Sequence, residues 1–129
     1  MLTLPTSLRV FAHRFPTVMR KSFHGLVGLV ETQLGQSVES GHLFLFFNRR
    51  RDRVKILYFA EDSLVIVYRK LEAGTFETPR GWRDVQENDA LSTSKGIEMH
   101  VSDLALILEG IDLASVRRRK RWRRVSTPA

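Results

Sequence analysis

Residues 42–71 read HLFLFFNRRRDRVKILYFAEDSLVIVYRKL, and this stretch decides the fold. Three runs rich in leucine, aromatic and β-branched side chains, His42 to Phe47, Arg53 to Phe59 and Leu64 to Leu71, are divided only by the polar segments Asn48 to Asp52 and Ala60 to Ser63. Such side chains favour pleated backbone. Connections this short join antiparallel neighbours, because a parallel return needs a crossover of a dozen residues or more. The expectation is therefore an antiparallel meander. HLFLFF is apolar at both alternating sets of positions, so its strand should be central, with a helix over one face. Ala73-Gly74 then turns the chain into a short strand, Thr75 to Thr78, ended by Pro79.

Working upstream, Ser22 to Leu34 carries Phe23, Leu26, Val27, Val30 and Leu34 at the spacing of an amphipathic helix, with Ser22 as a good N-cap and Gly35 as a good stop. Gly25 and Gly28 inside it cost about 1 kcal/mol each relative to alanine. Either another backbone approaches that face closely or the helix is simply weaker. Only a short extended start precedes it. Downstream, Arg80 to Gly96 is polar without a convincing period and reads as a loop, pinned to the core by Trp82. A second helix is signalled by Ser102 as N-cap, Asp103 in the first turn, Leu104, Ile107, Leu108 and Ile111 on one face, and Gly110 near its end. The expected fold is α+β: an antiparallel β-meander of about four strands packed against an N-terminal helix, with a C-terminal helix and a basic tail. Residues 1–116 form a single domain with a polar loop at 80–100, and residues 117–129 form a flexible tail.

Charge is distributed unevenly along the 129 residues. Residues 1–60 hold nine Arg and Lys against three acids, residues 61–116 hold five against eleven, and Arg117 to Arg124 holds seven and no acid. The folded part is thus neutral, and the net +7 belongs to the tail. Positive charge at this density raises affinity for polyanions, since each phosphate contact releases condensed counterions. The absence of cysteine excludes disulfides, thiolate zinc sites and cysteine nucleophiles, and suits a reducing compartment. The start MLTLPTSLRVFAHRF lacks the apolar stretch of a signal peptide, and no later segment approaches the length of a membrane span. A cytoplasmic protein with no membrane partner is expected.

No GxxxxGK[ST] loop, GxSxG elbow, GxGxxG turn, HExxH helix or CxxC pair is present, and His13, His24, His42 and His100 are scattered as surface or strand histidines are. The acids after residue 60 follow no spacing that builds a two-metal site. No catalytic residue, metal or cofactor is assigned, and the chain is not expected to be an enzyme. The chemistry that remains is phosphate recognition. Arg117, Arg118, Arg119, Lys120, Arg121, Arg123 and Arg124 offer bidentate guanidinium and ammonium donors, with Trp122 among them to stack on a base. The plainer reading is a solubility tail or a contact for an acidic protein. Asn48, Arg49, Arg50, Arg51, Arg53 and Lys55 sit at a hairpin tip and its outgoing strand, where they either clamp DNA or stay solvated and pair with the 61–116 acids. Arg20-Lys21 before the first helix either flanks an anion site at its amides or forms an ordinary turn.

These residues carry a resemblance. Met19-Arg20-Lys21-Ser22-Phe23 with Gly25-Leu26, Ser40 to Phe46, Asn48 to Tyr58, Tyr68 to Glu72 with Gly74 and Phe76, and Leu108 to Asp112 are similar, in that order, to the TnpB-type accessory proteins of insertion-sequence family 66. Val18 stands where that family usually has an acid, Phe59 where it usually has tryptophan, and residues 80–100 fit poorly. The resemblance implies a part in DNA transposition beside a separate transposase and another accessory protein. Non-catalytic binding to DNA near the element ends would be one task, and docking on the transposase as an adaptor, with only weak nonspecific DNA contact, would be the other.

Overall fold

The computed structural model describes residues 8–83 and 95–109. Strands β1 (Val10–His13), β2 (Leu43–Phe47), β3 (Arg53–Ala60), β4 (Ser63–Lys70) and β5 (Gly96–Met99) form one sheet in the order β4-β3-β2-β1-β5. Helix α1 (Phe23–Thr32) connects β1 to β2, and α2 (Val101–Leu108) follows β5. The meander β2-β3-β4 is antiparallel, with Phe47 opposite Val54 and Arg53 opposite Lys70. The fold class expected from sequence is the one found.

Strand β2 is central. Phe44, Leu45, Phe46 and Phe47 are all fully buried, because successive side chains enter opposite faces and both faces are covered. Phe44 and Phe46 pack with Phe11, Leu57, Leu26 and Val30 under α1. Leu45 and Phe47 pack with Val10, Ala12, Val54, Ile56 and Phe76, under Leu104 and Ile107 of α2. The result is three layers, with a helix on each side of the sheet.

Four sequence expectations change. The extended start is β1, which runs parallel to β2, with Val10 opposite Leu43, and is flanked by β5 on its other side. Residues Thr75 to Thr78 form no strand: Phe76 donates its amide to Arg51 O at 2.6 Å and buries its ring, so the segment serves as packing rather than as a ladder. Part of the expected 80–100 loop is β5, a four-residue strand too short for its period to show, while residues 84–94 lie outside the described residues. Helix α2 starts two residues earlier than an N-cap at Ser102 implies, with His100 at the N-cap.

At α1, Ser22 occupies the N-cap without a side-chain cap bond. The helix ends at Thr32 with Gln33 as its C-cap, and Gly35, the expected stop, takes φ +64 in the turn that follows, where Gln36 donates back to Val30 O at 3.1 Å. The close backbone approach inferred from Gly25 and Gly28 is absent: a Cβ at Gly25 would meet only the Lys21 side chain at 3.4 Å, and one at Gly28 would meet nothing within 4 Å. Trp82 does pin its segment, edge-on to Phe47 with ring centroids 6.4 Å apart.

Candidate nucleic-acid interface

The β2–β3 turn is built around Asn48. Its Oδ1 accepts from the amides of Asp52 at 3.1 Å and Arg53 at 2.9 Å, its Nδ2 donates to Asp52 Oδ1 at 2.7 Å, and its own carbonyl accepts from Arg51 N at 3.0 Å. Asparagine suits this place because its short amide donates and accepts at once and closes a turn on itself. The Asp52 carboxyl is held below the usual carboxylate range, mainly by the Asn48 hydrogen bond, with help from its own amide, Arg50 and Arg53. The turn is tied from outside as well, by Phe76 N on Arg51 O and Leu71 N on Asp52 O at 2.8 Å. Arg51 lies at φ +61. This framework leaves Arg49, Arg50 and Arg51 exposed on a fixed tip. Asn48 therefore shapes the tip, and both ends of its amide are already used within it.

Lys55 does not face solvent as the hairpin reading expected. It is 7% exposed, and its Nζ donates to Met19 O and Lys21 O, both at 2.7 Å, while lying 4.8 Å from the centre of the Tyr68 ring. On β3, Lys55 points to the α1 side with Leu57, and the chain entering α1 crosses just there. Two carbonyls in the turn before the helix meet an ammonium that needs acceptors, and each resolves the other's burial. Thr17 N on Phe47 O at 2.8 Å fixes the same crossing. Arg20 and Lys21 remain exposed beside it. Arg53 is half-buried and reaches Tyr68 Oη at 3.4 Å.

The topology adds what no local pattern could. Because β1 and β2 are parallel and their neighbours antiparallel, β1 and β2 end, β3 and β5 begin, and β4 ends at one edge of the molecule. Arg14, Lys70 and Lys95 thereby join the Arg49–Arg53 turn and Arg20-Lys21, and Arg83 is held there by its amide on Arg14 O at 2.9 Å. The opposite end carries Glu39, Glu61 and Asp62, and Arg9 there is paired in bidentate fashion with Glu98 at 2.8 Å. Arg14, Lys70, Arg83 and Lys95 were not found from sequence, since their only signal is the strand order. Arg117 to Arg124 lie outside the described residues.

A cavity of about 680 Å³ opens between β5, α2 and the 77–80 segment, but Glu77, Glu98 and Asp103 outnumber Arg80 on its wall, a poor match for phosphate. Among the described residues, no three His, Cys, Asp or Glu converge so as to hold a metal ion, and no helix is long and apolar enough to cross a membrane.

The family described as IS66 Orf2-like protein matches residues 8–118, a span that includes every described residue of this basic end. The chain belongs to that IS66 Orf2-like family. It is thus a transposition-associated accessory protein of the IS66 type. It is also similar to the uncharacterized protein y4jC of Sinorhizobium fredii (strain NBRC 101917 / NGR234), at 26% identity over 112 residues, 87% of this chain and 86% of the relative. No solved structure matches the chain. Two of the IS66-like blocks, Met19 to Leu26 and Asn48 to Tyr58, meet physically at Lys55. Val18 is half exposed at the start of that crossing.

Proposed function

We propose that this IS66 accessory protein binds DNA without catalysis in the cytoplasm, near the ends of the insertion sequence, and helps the separate transposase and its other accessory protein assemble there. The supporting observation is the gathering at one end of the sheet of Arg14, Arg20 and Lys21 with Arg49, Arg50, Arg51 and Arg53, the last four on a turn whose shape is fixed by Asn48. Fixed guanidinium groups lose less freedom on binding and suit phosphate oxygens bidentately. Arg117 to Arg124, with Trp122, offer the same chemistry along the C-terminal run of sequence. Phosphate contacts position a protein without reading sequence, so selectivity for the ends comes from DNA shape or from the transposase.

Binding to element-end and unrelated duplexes, followed against salt, tests this for the full chain, a 1–116 truncation and an Arg49→Ala/Arg50→Ala/Arg51→Ala variant. Each phosphate contact contributes about 0.9 to the slope of log affinity on log salt. The triple variant is expected to flatten the slope by about two to three, and the truncation by more. A slope unchanged by the triple variant refutes the sheet end as an interface. An adaptor that docks on the transposase is the second reading, favoured by the exposure of Val18, Phe23 and Tyr68 around the Lys55 crossing. Transposase binding that survives tail removal while DNA binding is lost would select it.

A further inference from the structure

The two edges of the sheet are unlike. Strand β5 is four residues long and carries Glu98 at its middle, tied to Arg9, so a short length and a central charge guard that edge. Strand β4 is eight residues long, its centre Leu64-Val65-Ile66-Val67-Tyr68 has no charge, and among the described residues it pairs only with β3. Val67 is 39% and Tyr68 48% exposed, on opposite faces of that edge. Its charges lie only at the ends: Glu61 and Asp62 before the strand, Arg69 and Lys70 at its close.

That arrangement is self-complementary. We propose that β4 pairs antiparallel with β4 of a second copy about a two-fold axis at Ile66, merging two five-stranded sheets into one. A two-fold axis normal to an antiparallel pair sets a residue opposite its own copy, and the register outward from Ile66 then follows. Val65 faces Val67, Leu64 faces Tyr68, Ser63 faces Arg69, and Asp62 faces Lys70, each twice by symmetry. Both exposed apolar side chains of the strand thus gain apolar neighbours, and the acidic end of each strand meets the basic end of the other. A parallel pairing would set like charges side by side. The pairing also leaves the two Asn48–Arg53 turns at opposite ends of the joint sheet, open to other ligands.

Sedimentation velocity on the full chain, freed of nucleic acid and held near 0.1 M salt so that surface charges still act, reads the assembly. The wild type is expected to be a dimer at about 100 μM, within the range where edge contacts of modest area associate. Asp62→Lys and Lys70→Asp each put like charges together twice, and each is expected to weaken dimerisation roughly tenfold or more. The double variant Asp62→Lys/Lys70→Asp restores opposite pairing and the dimer. Because the chain has no cysteine, Ile66→Cys adds a single thiol that should crosslink to its own copy on oxidation, whereas Ser40→Cys should not. A monomeric wild type, a dimer indifferent to both reversals, or a double variant no better than the singles overturns the proposal. DNA binding is not needed for any of these readouts, so their failure is separable from failure of the DNA reading.

Discussion

Replacing Lys55 by methionine separates a structural lysine from a DNA-binding one. Methionine keeps the length and apolar stem of lysine, so packing between β3 and α1 changes little. What is lost is the ammonium that holds Met19 O and Lys21 O at 2.7 Å. Hydrogen bonds to a charged group contribute about 1.5–3 kcal/mol each, giving a gross loss of several kcal/mol. Two effects offset it: the variant no longer desolvates a charge, and the crossing lies close enough to the surface, with Lys21 exposed, for water to reach the freed carbonyls. The net cost is about 2 kcal/mol, which for a domain of this size lowers Tm by about 8 °C. Thermal and urea unfolding followed by circular dichroism measure it, with the exposed Arg50→Met as a control expected to stay within about 0.5 kcal/mol of wild type. The salt slope of DNA binding should be the same for Lys55→Met as for wild type at a temperature where both are folded. A Lys55→Met protein as stable as the control, with a flatter salt slope, would refute the structural assignment and return Lys55 to the interface.

Three further outcomes follow from the same geometry. Asn48→Ala removes the Oδ1 and Nδ2 bonds of the β2–β3 turn and should cost about 1–2 kcal/mol in urea unfolding, while also weakening DNA binding beyond the loss of a single contact because the arginine tip loosens. Asp52 and Glu98 both have carboxyl pKa values below their ordinary ones, through Asn48 and Arg9 respectively. The unfolded chain binds their protons more readily, so the stability they add is present above the ordinary carboxylate range and is lost as pH falls through the lowered values. Unfolding midpoints should therefore be flat from about pH 7 to pH 5 and fall below about pH 4, less steeply in Asn48→Ala. Phe47→Ala, at a fully buried position between Phe76 and Trp82, should cost about 3–5 kcal/mol and leave the protein largely unfolded at 37 °C.

The meander was legible because its determinants are local: three apolar runs and two short polar connections leave one inexpensive way to pair. The helices were legible for the same reason. Strand β1 was not, since VFAH is four residues long and acquires its partners from residues 43–45 and 96–99. The Thr75 to Thr78 segment has strand-like composition, but its backbone is engaged by Arg51 in the turn, and composition cannot say which partner a backbone finds. At the site, the exposed arginines of residues 49–51 were readable from the run itself. Lys55 looked like one more member of that run, and only the crossing of residues 17–21 shows that its charge is spent indoors.

By itself, then, the sequence determined that this is an α+β protein of the IS66 accessory type with one helix before the meander and one after it, that its net charge belongs to the run at 117–124, and that a second basic cluster sits at the turn at 48–53. The family rests on blocks of sequence in a shared order, and the rest follows from side-chain period and local composition, which act over a few residues. Tertiary structure alone decided that β1 lies parallel to β2, that Arg14, Lys70, Arg83 and Lys95 join the basic end, that Lys55 is buried, and that β4 rather than β5 is the unguarded edge. Each depends on which distant segments become neighbours. That choice is made by burying both faces of β2 and satisfying the polar groups trapped beside it, energies that exist only once the chain has closed on itself.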